Sequence, residues 1–220
     1  MDILYGTNVT INKCRITEGY LCCIGSVVIN DCKISKNTIG ISVDGGDVTI
    51  KNCDIIENIQ AGIKSNSSHA CVFINNCNIV KNSEYGILVE ACKKVTIDNC
   101  KIKLNHYGIR TDAYTVVRNT KISNNIWNGV ELADEAEAEV RNCTISDNGN
   151  NGVFLEAFAK GTFEYNDIKN NVRIGVSLFD SHAVNRVTGK SNNFGGNGNG
   201  AVFPEALNFL SSYSGGEYHR

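Results

Sequence analysis

Proline, methionine and tryptophan are almost missing from this chain of 220 residues, which holds one of each. Its 21 glycines and many asparagines and isoleucines make a composition that is unusual for a mixed globular domain. Such a bias suggests a repeated sequence.

The chain also lacks a surplus of basic charge, since 21 Lys and Arg face 23 Asp and Glu, scattered along its length. Without a basic run, nucleic acid is not expected as a partner. No apolar stretch approaches the roughly 18 residues that span a bilayer, and the start MDILYGTNVTINKC lacks the order of a secretory signal. The sequence therefore predicts no membrane partner.

Repeats are what the chain does have. Eight segments align with VTIKNCDIIEN, and most are followed by a phrase such as GISVD or GIRTD that begins with glycine. Successive glycines of this phrase are about 21 to 24 residues apart, a period typical of solenoids. The eight segments occupy residues 9–19, 27–37, 48–58, 72–82, 95–105, 115–125, 138–148 and 161–171.

Within one period, β-branched apolar residues alternate with polar ones, which indicates strands. Ile50, Cys53, Ile55 and Ile63 are expected to point inward, with the residues between them outward. Each segment ends in Asn, predicted to satisfy backbone groups at a bend, to tolerate the left-handed conformation and to stack on the coil below. The glycine is expected where a Cβ would obstruct the backbone.

The predicted fold is therefore all-β, a single-stranded right-handed parallel β-helix of about 8–9 coils of about 23 residues, with three short strands per coil. A leucine-rich repeat has a similar period and is the alternative. That fold needs leucine at most core positions and a helical return segment, whereas here the core positions hold Ile and Val, and no stretch has helical spacing.

Six of the ten cysteines share one repeat position, which Thr120 and Asn166 fill in two other coils. We expect stacked thiols in the core rather than disulfides or a metal site, because free cysteine behaves as a small buried hydrophobe. Free thiols without a signal favour a cytoplasmic location, or an extracellular one if the chain is a fragment that has lost its signal. Cys22, Cys23, Cys71 and Cys92 are expected in turns, and the six are Cys14, Cys32, Cys53, Cys77, Cys100 and Cys143.

The two ends differ. Coils are predicted over residues 1–180, a degraded last coil over 181–203 and a tail or cap over 204–220, with Phe209 and Leu210 as a covering apolar pair. The first coil starts without a cap, so we expect the chain to be part of a longer protein or to associate with itself there.

The phrase N-C-x-I-x-x-N-x-x-x-G-I, as in NCDIIENIQAGI, resembles the β-helix repeats of the pectate-lyase-like superfamily over roughly residues 9–180. It is most similar to the carbohydrate-binding and sugar-hydrolysis repeats that alginate epimerases share with other β-helices. The resemblance implies the fold strongly and activity only weakly.

In polysaccharide-processing relatives the chemistry lies on an outward strand face, which the resemblance implies here for the glycine phrases. One outward column is predicted to read Ser42, Lys64, Leu88, Arg110, Glu131, Phe154 and Ser177. The next is predicted to read Asp44, Asn66, Glu90, Asp112, Ala133, Glu156 and Phe179.

Two readings of this face remain open. Glu90 and Asp112 are the candidate catalytic acid and base, with Arg110 gripping a uronate carboxylate and His106 assisting. Lys64 and Glu131 belong to the same cluster as candidate ligand-binding residues, as does His106. Alternatively, opposite charges on adjacent coils pair on a solvated face. Short turns and the missing motifs of β-helical pectin hydrolases and lyases oppose catalysis.

Three aromatic residues precede the glycines: Tyr85, Tyr107 and Trp127. They are predicted to form a column of rings that stacks on sugar faces or shields a turn. The leading hypothesis for function is a non-catalytic binding or scaffold module for an extended polysaccharide or a protein. The alternative is a polysaccharide lyase, hydrolase or epimerase. No cofactor or metal is predicted, except calcium if the chain is a lyase.

Overall fold

The computed structural model describes residues 2–5, 8–156, 158–180 and 184–210, and the side chains of 8–156, 158–180, 184–207 and 210. Parallel strands stack coil upon coil through these ranges in the predicted β-helix, whose turns recur about every 23 residues. The described residues contain two short 3₁₀ helices, Val184–Arg186 and Glu205–Leu210, and no helical return between strands, so the leucine-rich alternative is wrong.

Each coil contributes up to three strands, which form three stacked columns. The first column contains β2 (Val9–Asn12), β5 (Val27–Asn30), β8 (Asp47–Lys51), β15 (Thr115–Arg118), β18 (Glu137–Arg141), β21 (Lys160–Glu164) and β24 (Val187–Lys190). The second contains β3 (Arg15–Thr17), β6 (Lys33–Ser35), β9 (Asp54–Ile56), β11 (Asn78–Val80), β13 (Lys101–Lys103), β16 (Lys121–Ser123), β19 (Thr144–Ser146), β22 (Asp167–Lys169) and β25 (Asn193–Gly195).

The third column, which carries the glycine phrases, contains β1 (Asp2–Tyr5), β4 (Leu21–Ile24), β7 (Ile39–Val43), β14 (Tyr107–Thr111), β17 (Val130–Leu132), β20 (Val153–Leu155), β23 (Val176–Leu178) and β26 (Val202–Phe203). Two long strands, β10 (Ala61–Asn75) and β12 (Tyr85–Asp98), belong to the third column and continue through the corner into the first column of the next coil. These coils therefore have fewer and longer strands than predicted.

Like residues of successive coils lie opposite one another. Ile34, Ile55 and Ile79 pair in register in the second column, and Ile29, Ile50 and Ile74 do so in the first. All six are fully buried, and Cys53 and Ile63 are nearly so, as predicted. Stacking is what buries them, because one coil alone exposes both edges of its apolar interior.

Asparagine forms a continuous buried ladder beside the second column. In Asn105, the side-chain oxygen accepts hydrogen bonds from the backbone N–H and the side-chain amide of Asn82, at 2.9 and 3.1 Å. The Asn105 amide donates in turn to Asn125 and to the carbonyl of Ile79. The ladder residues are Asn37, Asn58, Asn82, Asn105, Asn125, Asn148 and Asn171.

The expected left-handed conformation belongs to the residue before each ladder asparagine, such as Leu104 with φ of 59°. That prediction was therefore wrong for the asparagines themselves, whose backbone stays in register while the buried side chain bonds along the stack. The glycine also acts by close approach: a Cβ on Gly108 would lie 2.3 Å from the carbonyl oxygen of Gly129 and 2.9 Å from the Asn125 amide nitrogen.

All ten cysteines are free thiols. At the shared repeat position, Cys14 is exposed and the other five are buried; each buried thiol donates to the carbonyl two residues before it, as Cys143 does to Arg141 at 3.2 Å. Burial raises the pKa of Cys143 to about 12. The other four cysteines lie in strands β4, β10 and β12 and not in turns, because the third column also runs through LCCI and the long strands cross the corner.

Residues 187–203 continue the stack with β24, β25 and β26, and the 3₁₀ helix Glu205–Leu210 packs against β24 and β26. Leu207 and Leu210 are fully buried there. The side chain of Phe209 and residues 211–220 of the predicted tail lie outside the described residues, as do residues 181–183.

Candidate functional site

The third column places the first predicted outward row in register. Lys64 pairs with Ser42 and Leu88, Leu88 with Arg110, and Arg110 with Glu131. The row continues through Phe154 to Ser177. Neighbouring coils thus bring Lys64, Arg110 and Glu131 onto one face, as the sequence predicts.

The second predicted row is interrupted by a β-bulge. Ser65 pairs with Val89, but Asn66 pairs with Ala91, so Glu90 is an extra residue without a partner in β10. The predicted pairing of Asn66 with Glu90 is therefore wrong, because the long strands add a residue as they turn the corner. Beyond the bulge the row resumes: the backbone N–H of Asp112 donates to Val89 and that of Glu156 to Leu132. Ala133, predicted to point outward, is fully buried.

The bulge turns Glu90 toward the coil below. Its carboxylate lies 3.0 Å from Lys64 Nζ in an ion pair whose side chains are 26% and 41% exposed for Lys64 and Glu90. Exposed pairs of this kind stabilise a fold by no more than about 1 kcal/mol. The bulge therefore determines the position of the Glu90 carboxylate, while the ion pair that it allows adds little to the stability of the coil.

Arg110 sits between two carboxylates from the coils above it. Its Nη1 lies 2.5 Å from Glu131 Oε1 and 3.4 Å from Glu156 Oε1. Burial alone would lower the pKa of Arg110, but the charges of Glu131 and Glu156 outweigh it and raise that pKa. The Arg110 guanidinium therefore forms its ion pairs with carboxylates of the chain itself.

Glu131 is the most buried charged residue of the face, with a side chain 6% exposed. Its second oxygen accepts a hydrogen bond from the Asn128 amide at 2.6 Å. Asn128 is itself buried and accepts from Asn150 and from the backbone of Asn151. The sequence interpretation missed Asn128 as a member of the site, although Asn128 directly precedes Gly129 as Tyr107 precedes Gly108. It placed Glu156 in the second outward row but assigned it no role.

Asp112 differs from these paired groups. Its Oδ1 is buried and has no hydrogen-bond partner among the described residues. Desolvation raises the pKa of Asp112 above its ordinary value, and the nearby charges of Asp134, Glu156 and Glu90 add to the rise while Arg110 opposes it. Glu90 is the smallest of these causes, so burial and not the predicted Glu90–Asp112 pair dominates.

The aromatic column is shorter than predicted. The rings of Tyr85 and Tyr107 stack with centroids 5.1 Å apart, and His106 lies beside Tyr107 at 5.0 Å. Trp127 does not continue this column: its backbone N–H bonds to the carbonyl of His106, and Gly108 bonds to Asn128. Asn128 therefore takes the next position, because Trp127 is two residues before its glycine and not one.

A shallow depression of about 430 Å³ lies between the charged row and the tyrosines. Its walls include Lys64, Glu84, Tyr85, Glu90, Arg110 and Asp112. A larger one of about 520 Å³ lies between Glu137, Lys160 and Arg186. We favour the first as the site because it is lined by Asp112 and by Tyr85, whose ring stacks on that of Tyr107.

Within the described ranges, no three or more His, Cys, Asp or Glu side chains come together in a way that could hold a metal ion. The helices of the same ranges include none that is long and apolar enough to cross a membrane. The possible calcium of a lyase stays a prediction.

Comparison with known proteins agrees with the architecture. Residues 1–102 and 65–206 match the family model described as the right handed beta helix region. No curated protein matches the chain.

Several solved structures are similar. The periplasmic alginate epimerase AlgG matches with a TM-score of 0.66 and 16% identity, over 86% of this chain and 49% of that one. Pectate lyase Pel9A gives 0.61 and 14%, over 79% and 57%. The A-module of the Azotobacter vinelandii mannuronan C-5 epimerase AlgE6 gives 0.53 and 16%, over 96% and 65%. This chain thus spans about half to two thirds of their lengths, and identities this low show a shared fold only.

Proposed function

Because this chain belongs to the right-handed β-helix family, we propose that it binds an extended polysaccharide along the outward face of its third strand column. The binding surface, here called the glycan face, consists of Lys64, Tyr85, Glu90, Tyr107, Arg110 and Asp112 around the 430 Å³ depression. The solved structures that resemble the chain are named for action on alginate, pectate and mannuronan, which supports a carbohydrate ligand.

The observation that carries the proposal is the stacked pair Tyr85 and Tyr107 beside a row of hydrogen-bonding groups. Half-buried rings 5.1 Å apart present a rigid apolar surface at low entropic cost. Polar side chains from several coils adjoin it, so a chain lying along the solenoid axis meets a new set of groups about every 4.8 Å. A polymer of alternating apolar faces and hydroxyl groups fits such a surface better than a compact ligand does.

The test is a glycan array probed with the purified chain, followed by calorimetry with the strongest binder. Tyr107→Asn should weaken binding about tenfold, as expected for the loss of one stacking ring. Asparagine occupies this position in the next coil, so the change suits the fold. Tyr165→Asn is the matched control, because Tyr165 is exposed on another column, opposite Asn142 of the coil below. Silence of the array, or equal binding by both variants, would refute the proposal.

One observation favours an enzyme as the second candidate. Asp112 has a raised pKa and lies next to Arg110, and carboxyl groups with this property are enriched at catalytic sites. In this alternative Asp112 transfers a proton to or from the sugar, with Glu90 as its counterpart.

This alternative predicts new reducing ends, ultraviolet absorbance of unsaturated uronates, or a change in uronate stereochemistry seen by NMR when the chain is incubated with polysaccharides. A lyase would need calcium in the assay. Asp112→Asn should abolish the activity while Asp47→Asn, at an exposed strand start, should not. Turnover that survives in Asp112→Asn would remove this residue from the mechanism.

A further inference from the structure

The charge of the glycan face is strongly one-sided. Glu84, Glu90 and Asp112 line the depression with Lys64 and Arg110. Glu131 and Glu156 reach Arg110 from the next coils, and Asp134 is close enough to act on Asp112. Six carboxyl groups thus surround two cations. A ligand carboxylate that enters the depression meets a field that opposes it.

Both cations already pair with carboxylates of the chain. Lys64 Nζ is held 3.0 Å from Glu90, and Arg110 is held by two carboxylates. Glu131 is nearly buried and its second oxygen is held by Asn128. If Arg110 moved away, the desolvated carboxylate of Glu131 would lose its opposite charge, which is costly. A uronate would have to compete with carboxylates that are already in place.

The remaining polar groups suit a ligand without charge. Asp112 lines the depression, and a sugar hydroxyl can donate a hydrogen bond to the part of its carboxyl group that faces the depression. The Tyr85 and Tyr107 rings present an apolar platform that is indifferent to ligand charge. Hydroxyl groups can therefore satisfy this face, whereas carboxylates are repelled by it.

Resting on the proposed glycan site, we propose that the site selects polysaccharides without carboxylates and disfavours polyuronates. This inference is an alternative to the expectation that Arg110 grips a uronate. It also predicts a ligand different from the polymers for which the similar solved structures are named. Those structures share the fold of this chain at 14–16% identity.

The experiment uses polymers that differ only in their carboxylates. Polygalacturonate and alginate are each compared with the same polymer after chemical reduction of its carboxyl groups, by affinity electrophoresis and calorimetry at low and high salt. If the glycan array identifies another polymer, oxidation at C6 or carboxyl reduction makes the corresponding pair. The uncharged member should bind at least about tenfold more tightly at low salt. Salt should narrow the difference, because it screens the repulsion.

A variant sharpens the test. Glu156→Gln removes one partner charge from Arg110 and should improve binding of the acidic polymer several-fold, with little effect on the neutral one. Glu164→Gln is the matched control, since Glu164 pairs with Arg141 on the first strand column. Unchanged thermal unfolding of both variants shows that the fold is retained.

Each outcome decides a separate question. Tighter binding of the acidic member, with loss of affinity on adding salt, would overturn the charge selection while leaving a glycan site in place. Equal affinities would overturn it as well. Absence of binding to every polymer would overturn the proposed function itself, and the selection with it.

Discussion

The buried asparagine ladder and the outward row of the glycan face repeat with the same period and obey different rules. Asn occupies all seven ladder positions from Asn37 to Asn171. The outward row instead changes from coil to coil, from Lys64 to Leu88, Arg110 and Glu131. The ladder position bonds to the coils above and below, so each coil needs the same group there. The outward position needs only a strand backbone, so its residues range from the partly exposed Lys64 to the buried Leu88 and Glu131.

Energies reflect this division. A buried amide must have partners, since an unsatisfied one costs about 1–3 kcal/mol. An exposed ion pair contributes about 1 kcal/mol or less. Between these extremes lies the Arg110 network, which is outward in register but contains the nearly buried Glu131. Substitutions at Asn105, Arg110 and Asp112 measure how much each of these groups contributes to the free energy of unfolding.

Asn105→Ala should have the largest effect. It removes the acceptor for the backbone and side chain of Asn82 and the donor to Ile79 and Asn125, all in the interior. With several buried groups unsatisfied, the free energy of unfolding should fall on the order of 3 kcal/mol. Urea unfolding followed by circular dichroism measures this loss.

The control for this change is Asn78→Ala on β11. The Asn78 amide donates to Asp54 at 2.8 Å, but the residue is exposed. Its loss should cost no more than about 0.5 kcal/mol. Equal losses in the two variants would show that the ladder contributes no more than a surface bond.

Arg110→Met should have an intermediate effect. It leaves Glu131 with Asn128 alone, so an almost buried carboxylate loses its charge partner. Since Arg110 is itself 28% exposed, water softens the penalty to about 2 kcal/mol.

Arg118→Met is the corresponding surface change, because Arg118 is 49% exposed and pairs with Asp98 at 3.1 Å. It should lower the stability by less than about 1 kcal/mol. The double variant Arg110→Met with Glu131→Gln should recover part of the loss. Failure to recover would mean that Arg110 acts through packing rather than through charge.

The sequence allows the stacking to be predicted because a repeat of nearly constant length converts directly into register. Ile50 and Ile55 lie opposite their equivalents, and Lys64, Arg110 and Glu131 share a face, for this reason. The asparagine ladder follows from the same arithmetic.

The structure differs from these predictions where residue positions depend on more than the repeat length. The bulge at Glu90 depends on how β10 and β12 turn a corner, which alternation of apolar residues does not encode. Trp127 was assigned to the tyrosine column by type, although counting from its glycine places Asn128 there. The burial of Asp112 Oδ1 without a hydrogen-bond partner among the described residues is a property of packing in three dimensions, which no local pattern predicts.

Asp112→Asn should have the smallest effect and the opposite sign. Desolvation raises the pKa of Asp112 in the folded chain above its ordinary 3.8, so the ionised carboxylate opposes folding at neutral pH. The folded state binds the proton more tightly than the unfolded one, and stability therefore falls as the pH rises through the interval between 3.8 and the folded pKa. Removing the charge should raise the stability at pH 7 by less than about 1 kcal/mol, since the group is partly solvated.

Thermal unfolding from pH 3 to pH 8 measures the difference, which should shrink toward zero at the acidic end because both side chains are then neutral. Asp47→Asn is the control, because it removes a carboxyl group at an exposed position. A stabilisation independent of pH would assign the effect of Asp112→Asn to packing. A destabilisation at neutral pH would show that the Asp112 carboxylate has hydrogen-bond or charge partners in solution, like the paired charges of the face.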